Sequence, residues 1–389
     1  MNTTSTRTKR IFISDLHMGD ERSYKPGGDL YPYVWFYPPR TDMLADFLQT
    51  ILESDDVKEL IILGDLFDQW VCPTEFDLAI YAKVASAPQN VRIIDMLTQI
   101  DAHQEIKLYY VLGNHDMLLD KKLMTSLFPN IHFIDPDVNG WSRFCQDGII
   151  AEHGNMFTMF CSPDTWSNPG SPISLPLGFF ISRSVAYDNA TTGNGTNFLD
   201  ILSHFISDLF QDPELAKDVF EAIAQDSGLD LSSLIQMAHL DWYPPLDLPS
   251  TQTSVEQVSD IYGKLLETWG KNTPTGLNSI DGIICEVIGL AHAAEKVYFQ
   301  ENKSPIVIFG HTHKYLLDGY LLEARFPDSM SELLPCKYIY ANTGTWINSH
   351  PYCTYVETEI KDGKHYVRLY EYLDSGEKKK LKERFVEMT

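Results

Sequence analysis

Apolar runs of four to seven residues recur along the first 153 positions, each closed by a polar or glycine-rich stretch. They predict strands at Arg10–Ser14, Glu59–Leu63, Ile106–Leu112, Ile131–Ile134 and Gly148–His153. Between the first two, Leu44, Phe47, Leu48 and Ile51 recur at helical spacing and predict an amphipathic helix from about Thr41. A longer helical region is expected from about Glu75 to Gln104. Residues 155–196 are rich in Ser, Pro, Gly and Asn and read as loops around one apolar run, Leu175–Ile181. From Phe198 to about Gln300 the period is helical, as at Ile283, Val287, Ile288 and Ala291. Strand patterning returns at Ile306–Gly310, Lys337–Ala341, Thr354–Ile360 and His365–Tyr372, with a hairpin signal at Asp362-Gly363. The basic run Gly376–Arg384 reads as a solvated helix.

Alternating strands and helices predict an α/β sandwich with its loops gathered at the strands' C-terminal ends. The whole chain, 1–389, is expected to form one domain, a sandwich from 9–154 and 304–375 with a mainly helical, cap-like insertion at 155–303. An oligomerisation element is the rival role for the insertion.

Composition narrows the field. The chain has 389 residues, 44% hydrophobic and 22% charged, which suits a globular protein with a large core. Its formal net charge of −24 repels polyanions and disfavours nucleic acid as a partner. The polar N-terminus runs straight into a strand, and no stretch reaches the roughly 18 apolar residues of a membrane span. Six scattered cysteines without a CxxC pair suit buried thiols in a reducing cytoplasm.

Candidate chemistry lies where the strands end, in Ser14-Asp15-Leu16-His17, Gly64-Asp65, Gly113-Asn114-His115-Asp116, His153-Gly154 and Gly310-His311-Thr312-His313, with Asn342-Thr343-Gly344 further on. Asp15 and His17 stand two apart at a strand end, so both side chains leave the same face. Asp65 has two carboxylate oxygens and can bridge two cations; Asn114 offers a neutral oxygen, and His153, His311 and His313 offer imidazoles. Taken singly, each motif is weak; their order and placement carry the inference. A nitrogen–oxygen donor set without cysteine favours two divalent ions such as Mn, Fe, Zn, Co or Ni, with Mn the first choice for assay, over a thiolate zinc site.

The ordered set D-x-H, G-D, G-N-H-D, H, G-H-x-H resembles the calcineurin-like metallophosphoesterase superfamily over residues 9–153 and 305–346. The resemblance implies a four-layer α/β/β/α sandwich of two mixed β-sheets with flanking helices. It implies a first ion on Asp15, His17, Asp65 and His313, and a second on Asp65, Asn114, His153 and His311. His115 is then implied as a catalytic group near the leaving group, with Asp116 orienting it. The implied reaction is attack of a metal-bridged hydroxide on a phosphate ester or pyrophosphate, the substrate being a small phosphorylated molecule.

Gly64-Asp65-Leu66-Phe67-Asp68-Gln69-Trp70 is also similar to a stretch of the UDP-diacylglucosamine diphosphatases, a branch that has arginine where this chain has His115 and a shorter insertion. That branch implies lipid-linked work at a membrane surface, leaving peripheral membrane contact open. A third reading is a non-catalytic binding scaffold of the same fold. The aromatic segment from Tyr24 through Tyr31, Tyr33, Trp35, Phe36 and Tyr37 leaves the sheet beside the site and is a candidate pocket wall. Arg40, Arg183 and Lys314 are weak candidates for substrate phosphate.

Overall fold

The computed structural model describes residues 7–23, 34–70, 81–158 and 289–388, apart from 303, 322–323 and 326–333, together with isolated positions between 161 and 285. Most of the expected loops and helices of the insertion, the Leu175–Ile181 run for the most part and the start of the 75–104 region therefore lie outside the described residues, whereas the end of the helical stretch, Ala291 to Asn302, is described and is helical.

Short apolar runs build both sheets. The strands are β1 (Lys9–Ile13), β2 (Val57–Leu63), β3 (Lys107–Val111), β4 (His132–Phe133), β5 (Phe144–Gln146) and β6 (Ile149–Ala151). After the insertion come β7 (Ile306–Phe309), β8 (Leu316–Leu321), β9 (Ala324–Arg325), β10 (Tyr338–Asn342), β11 (Cys353–Lys361), β12 (Lys364–Tyr372) and β13 (Lys378–Glu387). Among the described residues they form one sheet in the order β13-β12-β11-β1-β2-β3-β4 and a second in the order β5-β6-β7-β10-β8-β9. Both are mixed, with β1–β4 parallel in the first and β6, β7 and β10 parallel in the second.

The pleat sorts the core. Phe12, Ile61, Leu63, Val111 and Val356 face Ile149, Ile306, Ile308 and Ile339 across the two sheets. Their neighbours Ile11, Ile13, Leu60, Ile62 and Leu108 point the other way, onto helices α1 (Arg40–Leu52) and α3 (Val91–Asp101). Both faces of the central strands are thus buried, which explains why they read as nearly continuous apolar runs. On the outer face of the second sheet, Phe309 packs on Phe157 at 5.5 Å, and Phe299 of the helix running to Asn302 stacks on Tyr338 at 4.8 Å.

One expectation gains detail and one needs correction. The 75–104 helical region contains two helices, α2 (Tyr81–Ser86) and α3, separated because Pro88 cannot donate to a helix and the Asn90 side-chain amide turns to the Gly19 and Val84 carbonyls, each at 2.8 Å. The basic tail is not a helix. It is the ten-residue edge strand β13, so the first sheet continues to Glu387 and not to 375. Arg368 on β12 fixes it, pairing with Glu383 of β13 at 2.5 Å and with Glu357 and Glu359 of β11 at 2.9 and 2.8 Å. Lysines along a sheet edge discourage pairing with another chain, which explains the basic composition without helical propensity.

At the strands' opposite end, Arg10 pairs with Glu59 and with Asp147, and the buried His365 stands beside them. Burial and the Arg10 charge push His365 down to about 4. Its folded pKa is therefore below the unfolded value of about 6.5, and protonation favours the unfolded chain. Stability from this residue is complete above that value and is lost as pH falls toward 4, by about 2 kcal/mol between pH 8 and pH 5. In urea denaturation at those two pH values, His365→Gln should show a pH dependence smaller than the parent's by about that amount. Equal slopes would contradict it.

Candidate active site

Every candidate motif sits just past the C-terminal end of a parallel strand. The loops after β1 and β2 are interlocked by their own backbones: the amides of Leu16 and His17 donate to the Asp65 carbonyl at 2.9 and 2.8 Å. The Gly310 amide donates to the His153 carbonyl at 3.0 Å, which draws the β6 and β7 ends together. Asn342, Thr343 and Thr345 buttress this floor. Asn342 donates to the Gly310 carbonyl at 2.6 Å, and Thr345 to the Asp15 carbonyl at 2.7 Å.

Seven non-glycine residues among those described have positive φ, and five of them are Asp15, His17, Asp65, His311 and His313. The other two, Asp147 and Asp362, precede glycines in hairpin turns. Left-handed backbone costs about 1 kcal/mol or more per residue and persists where surrounding structure compels it, most often at functional sites. Here it turns five polar side chains inward to one point.

Two glycines make that convergence feasible. A Cβ at Gly64 would come within 2.5 Å of the Gly113 backbone, and one at Gly113 would land on the Asp65 carboxylate. Gly113→Ala is therefore expected to lower stability by about 1–3 kcal/mol, measured by chemical denaturation, through overpacking alone. An unchanged midpoint would show that the Asp65 loop can move aside.

The donor atoms lie close together. Asp15 Oδ1 is 3.3 Å from His313 Nε2 and 4.0 Å from both His17 Nε2 and His153 Nε2. It is buried and accepts no hydrogen bond among the described residues, while Oδ2 receives the Ser14 hydroxyl and the His311 amide. His17 Nε2 and His313 Nε2 are 3.0 Å apart. Asp65 Oδ2 lies 3.1 Å from His153 Nε2 and 3.8 Å from His17 Nε2, and its Oδ1 accepts the His115 amide at 2.8 Å. Asn114 Oδ1 is 3.0 Å from both His153 Nε2 and His311 Nδ1. Three subsets can each gather around one cation: Asp15, His17 and His313; Asp15, Asp65 and His153; and His17, Asp65 and His115. A buried carboxylate oxygen with no donor, ringed by imidazole nitrogens, is the chemistry of a divalent-cation site.

The electrostatics agree. Burial alone would raise the Asp65 carboxyl, but His153 and His115 outweigh it and hold the group well below the usual range. His153 moves in the opposite sense. Burial lowers it, yet Asp65 and Asp15 drive it up to about 10, so this point in the fold demands positive charge. Burial and His153 push His311 down to about 3, leaving it neutral with a lone pair to give. Glu152, next to His153, is pushed up to about 7 by burial and is held by Tyr298 and Trp141, which ties the helix at the end of the insertion to the β6 end.

Around His115 the structure revises the sequence reading. Asp116 does not orient that ring: its carboxylate accepts from the amides of Gly113 and Leu66 and from the Tyr110 hydroxyl, so it shapes the loop. The partner of His115 is Asp68, whose Oδ1 lies 3.0 Å from Nδ1. The other oxygen of Asp68 is 3.2 Å from His17 Nδ1, so one carboxylate orients two imidazoles. Buried Trp70 stacks on His115 at 4.3 Å and 25°. Burial lowers the His115 pKa, but Asp68 and Asp65 raise it above the ordinary value. The signal for both partners lay in the Gly64–Trp70 stretch, three and five residues past Asp65.

The phosphate-binding candidates fare differently. Arg40 is not available for phosphate: its guanidinium donates to the His350 and Pro351 carbonyls at 2.8 and 3.1 Å and to Cys353, clamping a turn. Lys314 is exposed one residue beyond His313. Arg183 lies outside the described residues. Of the aromatic segment, Tyr24 to Tyr33 also lie outside them, Phe36 is buried against the helix-side core, and Trp35 packs its ring on His17, His115 and His313 at 4.7, 5.5 and 5.9 Å.

Two mixed sheets with flanking helices thus carry a strand-end cluster of aspartates, histidines and an asparagine that could hold metal ions. Residues 8–315 match the calcineurin-like phosphoesterase family, and the chain belongs to that family. It is 29% identical over 151 residues to the UDP-2,3-diacylglucosamine hydrolase of Shewanella sp. strain MR-7, covering 39% of this chain and 50% of that one. The protein of the same name from Histophilus somni is 29% identical over 118 residues, 30% of this chain and 38% of its own. The matches thus span half or less of these relatives' length. Among solved structures, a purple acid phosphatase from yellow lupin seeds covers 98% of this chain and 54% of its own at a TM-score of 0.38 and 11% identity.

Proposed function

We propose that the chain is a metal-dependent phosphohydrolase acting on a small phosphate ester or pyrophosphate. The observation that carries this reading is the buried, donorless Asp15 Oδ1 within 3.3–4.0 Å of three imidazole nitrogens. Asp15, His17, Asp65 and His313 would hold one divalent ion, and Asp65, Asn114, His153 and His311 a second, with Asp65 shared. When bound, such ions lower the pKa of water and offset charge on the phosphoryl oxygens.

The chain's own groups supply the rest. Asp68 holds the proton of His115 on Nδ1, which directs Nε2 toward bound substrate. Asp68 and Asp65 raise the pKa and so favour the protonated ring, the form that can give a proton to the departing oxygen. Trp70 covers one face of the ring and keeps water from it. No described helix is long and apolar enough to cross a membrane. The thiols of Cys145, Cys336 and Cys353 support a cytoplasmic setting.

A decisive test is elemental analysis of the purified protein, followed by assay with Mn²⁺ on phosphomonoesters, phosphodiesters and nucleotide diphosphate conjugates. Bound transition metal with hydrolysis of at least one class is expected. Neither would leave the binding-scaffold reading standing. The second reading, a UDP-diacylglucosamine-type diphosphatase, draws support from the named relatives and from the Gly64–Trp70 stretch. It predicts hydrolysis stimulated by detergent and co-sedimentation with liposomes; activity on water-soluble esters without either would count against it.

A further inference from the structure

Trp35 is the residue at this site that the chemistry described so far does not use. Its neighbour Phe36 does the packing expected of an aromatic loop, at 2% exposure in the helix-side core. Trp35 itself stays part-exposed and lies on polar imidazoles, with its ring plane tilted 76° to His17, 50° to His115 and 86° to His313. The backbone that carries the ring is tethered. The Trp35 carbonyl accepts the Asn348 amide at 2.7 Å, and the Tyr37 amide donates to Asn348 Oδ1 at 2.8 Å, which ties the segment to the 347–350 turn.

His115 therefore has two tryptophans close to its ring: buried Trp70, stacked on it at 4.3 Å, and part-exposed Trp35 at 5.5 Å. We infer that Trp35 is a specificity-determining wall of the leaving-group site, selecting phosphate esters whose leaving group carries a flat ring close to the ester oxygen. An indole on a tethered segment, already packed against three histidines, offers apolar area at modest ordering cost, and stacking of one ring on it is worth about tenfold in affinity. A flexible polyol or alkyl group gains far less from the same wall. This inference rests on the phosphohydrolase reading, so its test keeps binding apart from turnover.

The probes are phenylphosphonate and methylphosphonate, which share the phosphonate head and differ in the ring. They are titrated by calorimetry into the Mn²⁺-loaded parent and into Trp35→Ala and Trp35→Phe, with metal content measured for each. The parent should bind phenylphosphonate about tenfold more tightly than methylphosphonate, Trp35→Phe should keep most of that ratio, and Trp35→Ala should lose it. A parent with no preference, or a Trp35→Ala protein that retains it with metals in place, overturns the inference. Weakening of both probes alike in Trp35→Ala assigns Trp35 to positioning of the histidines and overturns it too. Phenyl phosphate turnover by the parent is measured alongside. Its absence, together with no turnover of any phosphomonoester, phosphodiester or diphosphate conjugate, would refute the hydrolase reading, while selective phosphonate binding would leave the ring-binding wall intact.

Discussion

Alanine at position 115 should lower turnover by about 10²- to 10⁴-fold while the metal content stays that of the parent. The reason is geometric. His115 Nδ1 is occupied by Asp68 at 3.0 Å, so one imidazole nitrogen is spoken for and only Nε2 remains for the substrate. The ring is boxed by Trp70, and its backbone amide already supports Asp65, a contact that alanine preserves. Loss of metal in proportion to activity would instead make His115 a ligand, in line with its place beside His17 and Asp65.

The pH profile gives an independent check. His115 is held above its ordinary pKa by Asp68 and Asp65 against the effect of burial, and its acid form is the useful one. Activity should therefore fall as pH rises through that pKa. Asp68→Asn removes the larger of the two favourable charges, so the alkaline limb should move to lower pH, with a smaller loss of turnover at the optimum. An unmoved limb would show that another group controls it.

The second large effect belongs to Asp65. It contributes its carbonyl to the amides of Leu16 and His17, Oδ1 to the His115 amide and Oδ2 to the space between His153 and His17. Asparagine keeps the size and one acceptor oxygen but removes the charge that both cation sets share. Asp65→Asn should bind at least one ion fewer per chain by elemental analysis and lose activity by about 10³-fold or more, the equivalent of several kcal/mol. Because the substitution is nearly isosteric, the circular dichroism spectrum should match the parent's. Full metal content with full activity would remove Asp65 from the centre of the site.

Local features of this molecule were readable because a few neighbouring residues encode them. Apolar, strand-like runs marked β1, β2, β3, β10, β11 and β12 to within about two residues at either end. Asp362-Gly363 marked the hairpin, where both residues do adopt positive φ. The spacing of Leu44, Phe47, Leu48 and Ile51 marked the buried face of α1. Strand β8 escaped notice because buried Asp318 and Gly319 interrupt its apolar pattern, and β5 because three residues carry too little pattern. For β13 the run of lysines misled: charge and helical propensity favoured a helix, whereas an open sheet edge and the Arg368 ladder made it a strand.

The candidate site divides along the same line. By itself the sequence determined which residues stand at strand ends and their donor chemistry, since both depend only on identity and on the few positions beside each motif. Only the tertiary structure decided who touches whom. It set Asp68, not Asp116, against His115 across 47 positions, committed Arg40 to backbone carbonyls and brought Trp35 onto three histidines. Those contacts follow from strand order and from where the loops interlock, and these are long-range consequences of packing two buried sheets that no local pattern contains.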